Sequence, residues 1–215
     1  MQKSKLLLEI GRKESDKEKI TNRILKKPQL LSYILEGLHS KTATIKYSCL
    51  NILRLISEQK PEILYPEFDF FINLLNSDNS FMKWGAIYII ANLTVVDSNN
   101  KFEKIFNRYF SPIPGPVLIT AANTIEGAAT IALAKPKLLE RIKKELLKAE
   151  TATYQTAECR NVALGHVINS FDQFYDKIKD KEPVIAMITR QLENTRSGTS
   201  KKAAKFLKKY KIAPY

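Results

Sequence analysis

The amino-acid sequence predicts an all-α protein in which about five helical pairs stack as an α-solenoid. Two observations predict this fold. A twelve-residue helical pattern recurs along the chain at steps of about 37 residues, and Pro residues mark where other helices begin between its copies. A period of this length fits a repeat made of two helices. The 215 residues are enough for a short stack with a continuous core.

The clearest copy of the pattern covers residues 82–93. Its apolar or small residues follow the spacing of a helix that buries one face. They are Met82, Gly85, Ala86, Ile89, Ile90 and Leu93. Trp84, Tyr88 and Asn92 are spaced four residues apart and therefore form a second, unlike face.

The other copies begin at Ile45, Leu118 and Thr156, with a less regular one at Thr199. With Met82 as position one, position eight reads Ile52, Ile89, Ile125 and Ala163, and position ten reads Arg54, Ala91, Gly127 and Gly165. The steps between the position-ten residues are 37, 36 and 38. Small residues at positions four and five predict close approach of neighbouring helices. Larger side chains at position eight are expected to fill the space between the helical layers.

A first helix is expected before each copy of the pattern. Lys-Pro or Glu-Pro pairs at Pro28, Pro61, Pro136 and Pro183 predict helix starts, because Pro is tolerated in the first helical turn. The predicted first helices are 28–38, 62–76, 100–110, 137–148 and 182–194. The Pro-rich segment 111–116 predicts a stiff loop between the two helices of the third pair.

Both ends of the chain predict polar caps on a single domain that covers residues 1–215. Residues 1–27 are expected to form two cap helices, the first closed by Gly11 and the second capped by Ser15 with Glu18 in a capping box. The two-helix repeats are expected over 28–195, and a basic cap helix follows within 196–215. Terminal repeats need a polar outer face because each has only one neighbour.

The net charge of +13 is concentrated at these ends, since residues 28–195 hold 19 basic and 18 acidic side chains. The N-terminal apolar run is short and contains Glu9, which argues against a signal peptide. No apolar run approaches the roughly 20 residues that span a bilayer, so we expect a cytoplasmic protein without a membrane partner. Cys49 and Cys159 are expected to be buried and unpaired.

Residues 82–93 resemble the second helix of a HEAT repeat, in which an aliphatic-basic pair precedes small residues. Met82-Lys83 and Ile45-Lys46 keep that pair. The resemblance covers about residues 28–195 and implies a right-handed α–α superhelix. Tyr88 and Asn92 also resemble the aromatic and Asn of importin-alpha-type armadillo repeats. In that family the aromatic holds the stem of a ligand side chain, and the Asn bonds the ligand backbone.

Positions three, seven and eleven are expected to line the concave side of the stack. They read Tyr47, Asn51, Leu55; Trp84, Tyr88, Asn92; Thr120, Thr124, Ala128; Glu158, Val162, His166. Aromatics on a polar concave face are typical binding anchors, although Trp84 and Tyr88 could instead pack against the next repeat. The candidate partner-binding residues are Tyr47, Asn51, Arg54, Lys83, Trp84, Tyr88 and Asn92. Lys46 joins Lys83 and Arg54 in a small basic cluster, which could contact a phosphate or an acidic peptide or could be ordinary solvated charge.

We expect neither catalysis nor a metal or other cofactor. His39 and His166 have no Cys or carboxylate at a metal-ligand spacing, and no nucleophile or phosphate-loop motif occurs. Small HEAT-like DNA alkylation-repair glycosylases resemble this chain in size and charge. They depend on several Trp residues with an Asp, whereas this chain has Trp84 alone. The expected function is therefore a scaffold for a protein or peptide, with nucleic-acid binding as the alternative.

Overall fold

The computed structural model describes residues 2–213, and every regular element in this range is helical. The α-helices are α1 (Gln2–Ile10), α2 (Lys17–Lys26), α3 (Leu31–Gly37), α4 (Ala43–Gln59), α5 (Pro61–Leu64), α6 (Phe68–Leu74), α7 (Ser80–Leu93), α8 (Lys101–Phe110), α9 (Leu118–Ala134), α10 (Leu139–Leu147), α11 (Ala157–Phe174), α12 (Glu182–Arg190) and α13 (Ser197–Lys209). Short 3₁₀ turns cover Pro28–Leu30, Tyr65–Glu67, Thr94–Val96, Pro136–Leu138, Lys148–Thr151, Tyr175–Lys177 and Gln191–Glu193. The all-α prediction is confirmed.

The Pro residues mark helix starts as predicted. Pro28 and Pro136 each open a 3₁₀ turn that leads directly into an α-helix, and Pro61 and Pro183 lie in the first turns of α5 and α12. The predicted first helix 62–76 is divided into α5, a 3₁₀ turn and α6. A second Pro, Pro66, lies within that 3₁₀ turn.

The predicted cap of α2 is wrong by one residue. Asp16 is the N-cap, and its side chain accepts a hydrogen bond from the N–H of Lys19 at 2.9 Å. Ser15 Oγ instead donates to the carbonyl of Ile10 at 3.0 Å and joins the end of α1 to the start of α2. The remaining parts of the two predicted end caps, residues 1, 214 and 215, lie outside the described residues.

The chain divides into two compact units, Met1–Phe102 and Glu103–Tyr215. In the first unit, α1, α2 and α3 pack on α4, and α4 packs on α7, which also contacts α5 and α6. In the second unit, α11 lies between α9 and α13, while α10 contacts α9 and α12 contacts α13. The boundary falls inside α8, and a single domain over residues 1–215 stays a prediction.

The same pattern positions are buried in α4, α7, α9 and α11. In α9, however, the pattern is displaced by one residue from the predicted alignment. Position eight reads Ile52, Ile89, Thr124 and Ala163, and position twelve reads Ile56, Leu93, Ala128 and Val167, all with 0% exposed surface. The steps between the position-eight residues are therefore 37, 35 and 39 rather than the predicted 37, 36 and 38.

Two residues of α9 show the displacement. The prediction put Thr124 and Ala128 on the concave side of the stack, but both are fully buried. The Oγ1 of Thr124 donates to the carbonyl of Thr120 at 2.9 Å, so its hydroxyl is satisfied without water. Position five was predicted to face inward, but it is half-buried at Ala122 of α9 and exposed at Arg160 of α11.

Within each unit, polar contacts join residues one repeat apart. In the first unit Asn79 bonds Tyr47 near the starts of α7 and α4, and Asn92 bonds Ser57 near their ends, so these helices run parallel. In the second unit Thr199 bonds the carbonyl of Asn161, and Lys209 bonds Asp172. The sequence separations in these four contacts are 32, 35, 38 and 37 residues.

The Pro-rich segment 111–116 is a loop held against the segment that precedes α11. Ile113 is fully buried, its carbonyl accepts a hydrogen bond from Tyr154 Oη, and the N–H of Thr153 donates to the carbonyl of Pro114 at 3.0 Å. Gly115 has a φ of +107°, and a Cβ there would lie 2.1 Å from the carbonyl oxygen of Thr153. Only Gly fits this close approach.

Candidate protein-binding surface

Four aromatic side chains form one surface across the parallel helices α4 and α7. We call Tyr47, Phe81, Trp84 and Tyr88 the aromatic surface. The ring centroids of Tyr47 and Phe81 are 5.1 Å apart, and those of Phe81 and Trp84 are 5.2 Å apart in an edge-to-face arrangement. Tyr88 follows Trp84 by one helical turn.

Neighbouring polar groups hold this surface in place at both ends. Tyr47 Oη accepts a hydrogen bond of 3.1 Å from Asn79, whose own Oδ1 caps α7 by accepting from the N–H of Met82. At the other end, Asn92 Nδ2 donates to Ser57 Oγ at 2.9 Å. Ser57 Oγ in turn donates to the carbonyl of Arg54. These contacts fix the rotation of α7 relative to α4.

Arg54 covers part of Tyr88. Its guanidinium carbon lies 4.3 Å from the centroid of the Tyr88 ring, and its Nε forms a 3.0 Å ion pair with Glu58 one turn along α4. A guanidinium held by both a ring face and a carboxylate is positioned before any ligand arrives. Nearly half of the Arg54 side chain is nevertheless exposed, at 47%.

The exposure of the aromatics differs along the surface. Phe81 is 57% exposed, which is unusual for a Phe, whereas Tyr47, Trp84 and Tyr88 are half-buried. Phe81 was not among the predicted site residues because it lies just before the twelve-residue pattern. Its spacing of three residues from Trp84, on the same helix face, was the signal available in the sequence.

The predicted partner-binding residues all lie on α4 and α7. Tyr47, Trp84, Tyr88, Arg54 and Asn92 belong to the contact network just described. Asn51 is exposed on α4, and Lys83 is half-buried beside Trp84. Trp84 and Tyr88 pack against neighbouring side chains and still present surface to solvent, and their role as binding anchors stays a prediction.

Two of the residues of α11 that were predicted to line the concave side contact charged side chains. His166 Nδ1 lies 3.0 Å from Glu126 of α9, and Glu158 pairs with Arg196 at the start of α13.

The prediction that both cysteines are buried is confirmed for Cys49 alone, because Cys159 is only half-buried. Cys159 Sγ accepts a hydrogen bond from Thr156 Oγ1. Both cysteines are free, and burial raises the pKa of the Cys49 thiol to about 12.

Within residues 2–213, no group of three or more His, Cys, Asp or Glu side chains is arranged to hold a metal ion. The same described residues contain no helix with the length and apolar character needed to cross a bilayer.

Comparison with known proteins adds a likeness of fold. No family model and no curated protein matches the chain. Among solved structures, the crystal structure of an engineered protein, a structural genomics target, is similar with a TM-score of 0.53. The match covers 98% of this chain and 97% of that chain at 14% sequence identity. At this identity the likeness concerns the fold alone.

Proposed function

We propose that this protein is a non-catalytic scaffold that binds a segment of a partner protein on the aromatic surface of α4 and α7. The observation that carries this proposal is Phe81, which exposes 57% of a large apolar side chain between the rings of Tyr47 and Trp84. Aromatic side chains that are already held in place make effective binding anchors, because little side-chain entropy is lost on binding.

The scaffold is a HEAT-like solenoid in this proposal, a right-handed α–α superhelix. Its support is the burial of the same pattern positions in α4, α7, α9 and α11, together with polar contacts between residues 32 to 38 apart. Contacts confined to neighbouring repeats are the physical property of solenoids. The proposal places the protein in the cytoplasm, where unpaired cysteines such as Cys49 and Cys159 are usual.

The charges beside the aromatic surface favour an acidic partner segment with an apolar anchor. Lys46 and Lys83 directly precede Tyr47 and Trp84, and neither makes an ion pair within the described residues. Glu58, the carboxylate of the contact network described above, is paired with Arg54. A ligand carboxylate could therefore pair with Lys46 or Lys83 while an apolar side chain contacts Phe81.

The experiment is a selection of 16-residue peptides, displayed from a random library, on the full chain. Selected peptides are synthesised, and binding is followed by the emission of Trp84, which is the single Trp of the chain and lies within the surface. We expect an aliphatic or aromatic residue flanked by Asp or Glu in the selected peptides. Phe81→Ala should weaken their binding by roughly 30-fold, or about 2 kcal/mol, as expected for an anchor.

Val95→Ala is the matched control. Val95 is also in the first unit and is 62% exposed, but it lies beyond the opposite end of α7, 14 residues from Phe81. It should leave peptide affinity unchanged. The proposal is wrong if wild type and Phe81→Ala enrich the same peptides, or if the selected peptides bind without changing Trp84 emission.

A further inference from the structure

Three Lys residues on α13 form a row on its solvent side. Lys201, Lys205 and Lys208, which we call the lysine row, are exposed at spacings of four and three residues. The opposite side of α13 buries Thr199, Ala203, Phe206 and Leu207 against the rest of the second unit. Since α13 is anchored by this apolar face, the lysine row is held on a rigid element.

The charges of the lysine row are not compensated by nearby carboxylates. No Asp or Glu follows Glu193 in the sequence. Three carboxylates act on this part of the chain, but their contacts are with other basic residues: Asp172 pairs with Lys209 at 2.7 Å, Glu158 pairs with Arg196, and Glu126 lies near Lys202. None of the three row Lys makes an ion pair within the described residues.

Lys202 adds a fourth positive charge beside the row. Its Nζ donates to the carbonyl of Gly165 at 3.2 Å and lies in a small crevice between α11 and α13, which Lys205 and Lys209 also line. Burial, and then the neighbouring charge of Arg196, lower the pKa of Lys202 by more than the charge of Glu126 raises it. An anion bound alongside would relieve the repulsion between these cations.

The exposed side of α13 lacks the features needed for a peptide or a membrane. Its exposed residues are Ser197, Gly198, Lys201, Ala204, Lys205, Lys208 and Lys209. Peptide binding requires apolar anchors, and interfacial helices insert large apolar side chains, but Ala204 is the largest apolar group here. A surface of charges without anchors suits a ligand that binds through its charge density.

Nucleic acid has that charge density. Lys201 and Lys208 are seven residue steps apart, so the lysine row extends about 10 Å along the helix axis. One strand of a duplex carries a phosphate about every 3.4 Å along its axis, so the row can face about three phosphates. We propose that the lysine row of α13 binds the phosphate backbone of nucleic acid without regard to base sequence. This site is separate from the aromatic surface and does not depend on it.

The test is anisotropy of a labelled, mixed-sequence DNA duplex titrated with the full chain between 50 and 200 mM salt. The triple variant Lys201→Gln, Lys205→Gln, Lys208→Gln is compared with Lys104→Gln, Lys137→Gln, Lys144→Gln. The control set removes the same charge from exposed positions of the second unit. The slope of log affinity against log salt should fall by about 2.7 in the row variant, and much less in the control.

Several outcomes would overturn the assignment. They are no binding by the wild type at 50 mM salt, an equal loss in both triple variants, or equally tight row-dependent binding of polyglutamate or phosphatidylserine vesicles. Unchanged circular dichroism and Tm in both triple variants show that folding is intact. Phe81→Ala should bind the duplex as the wild type does. The duplex titration therefore tests the lysine row even if the peptide-binding proposal is wrong.

Discussion

Adding one methyl group at Gly85 is expected to destabilise the contact between α4 and α7. A Cβ on Gly85 would lie 2.6 Å from Leu50 Cδ1 and 2.7 Å from both Leu50 Cδ2 and Cγ, closer than real Cβ atoms approach other heavy atoms. Leu50 is only 6% exposed and has little free space to rotate into. The helices must therefore move apart or Leu50 must leave its preferred rotamer.

The magnitude follows from two opposing terms. Replacing Gly by Ala inside a helix favours folding by up to about 1 kcal/mol. Overpacking a filled core typically costs about 1–3 kcal/mol, and three simultaneous contacts place Gly85→Ala near the upper end. The expected net loss is about 2 kcal/mol, which corresponds to a fall in Tm of about 4–8 °C for a chain of this size.

Urea unfolding, followed by Trp84 emission and by circular dichroism, measures this loss. Leu50→Ala alone should cost about 2–5 kcal/mol by leaving a cavity. The double variant should lose at least 1 kcal/mol less than the sum of the two, because the new methyl group occupies the space that Leu50 vacates. Gly198→Ala is the control, since the nearest atom to its added Cβ is Arg196 Nε at 3.9 Å.

Additive free energies, within about 0.5 kcal/mol, would refute this reasoning. Additivity would mean that the added Cβ and Leu50 do not compete for the same space. An unchanged or raised stability of Gly85→Ala would show that α4 and α7 separate without cost.

Three further variants test other contacts. Asp97→Ala should cost about 2–4 kcal/mol in urea unfolding, because the carboxylate of Asp97 accepts two N–H bonds of 2.9 and 3.0 Å at the start of α8 and is 3% exposed; wild-type stability would show that other groups cap α8. Burial raises the pKa of Glu140, but the hydrogen bond from Lys143 and a backbone N–H outweigh it and hold that pKa below its ordinary value of 4.5. This contribution is present above pH 4.5 and is lost as pH falls through the lower folded pKa, so the Tm difference between wild type and Glu140→Gln should shrink from pH 5 to pH 3; a constant difference would contradict it. Gly165→Leu should cost about 3 kcal/mol, since even a Cβ would lie 2.9 Å from the buried Thr199 Oγ1; an unchanged melting curve would show that α11 and α13 are not closely packed there.

The sequence predicted helix starts well because Pro has one dominant physical effect. A residue without an N–H is favoured in the first turn and disfavoured in the interior, whatever the tertiary contacts. The N-cap of α2 was harder to predict, because Ser15 and Asp16 are adjacent and both residue types are favoured as N-caps. The choice between them depends on the contact of Ser15 with Ile10, which the local sequence does not reveal.

The alignment of α9 failed for a different reason. Its sequence is apolar or small on almost every side, so a shift of one residue changes the apolar pattern very little. Thr124 was placed on the concave side because it is position seven when the copy is counted from Leu118, yet a hydrogen bond within the helix allows its complete burial. The pattern in α7 is better defined, since Trp84, Tyr88 and Asn92 separate its two faces.

The two proposed surfaces bind their ligands through different interactions, apolar contact and charge. Binding at each surface can therefore be measured separately on the same protein. Contact with Phe81 removes apolar area from water and should resist salt, while binding to the lysine row releases counterions and should weaken steeply with salt. Phe81 belongs to the first unit and the row to the second. If both ligands bind, titrating the duplex in the presence of saturating peptide measures any coupling between them, and equal affinities with and without peptide would mean that the units bind independently.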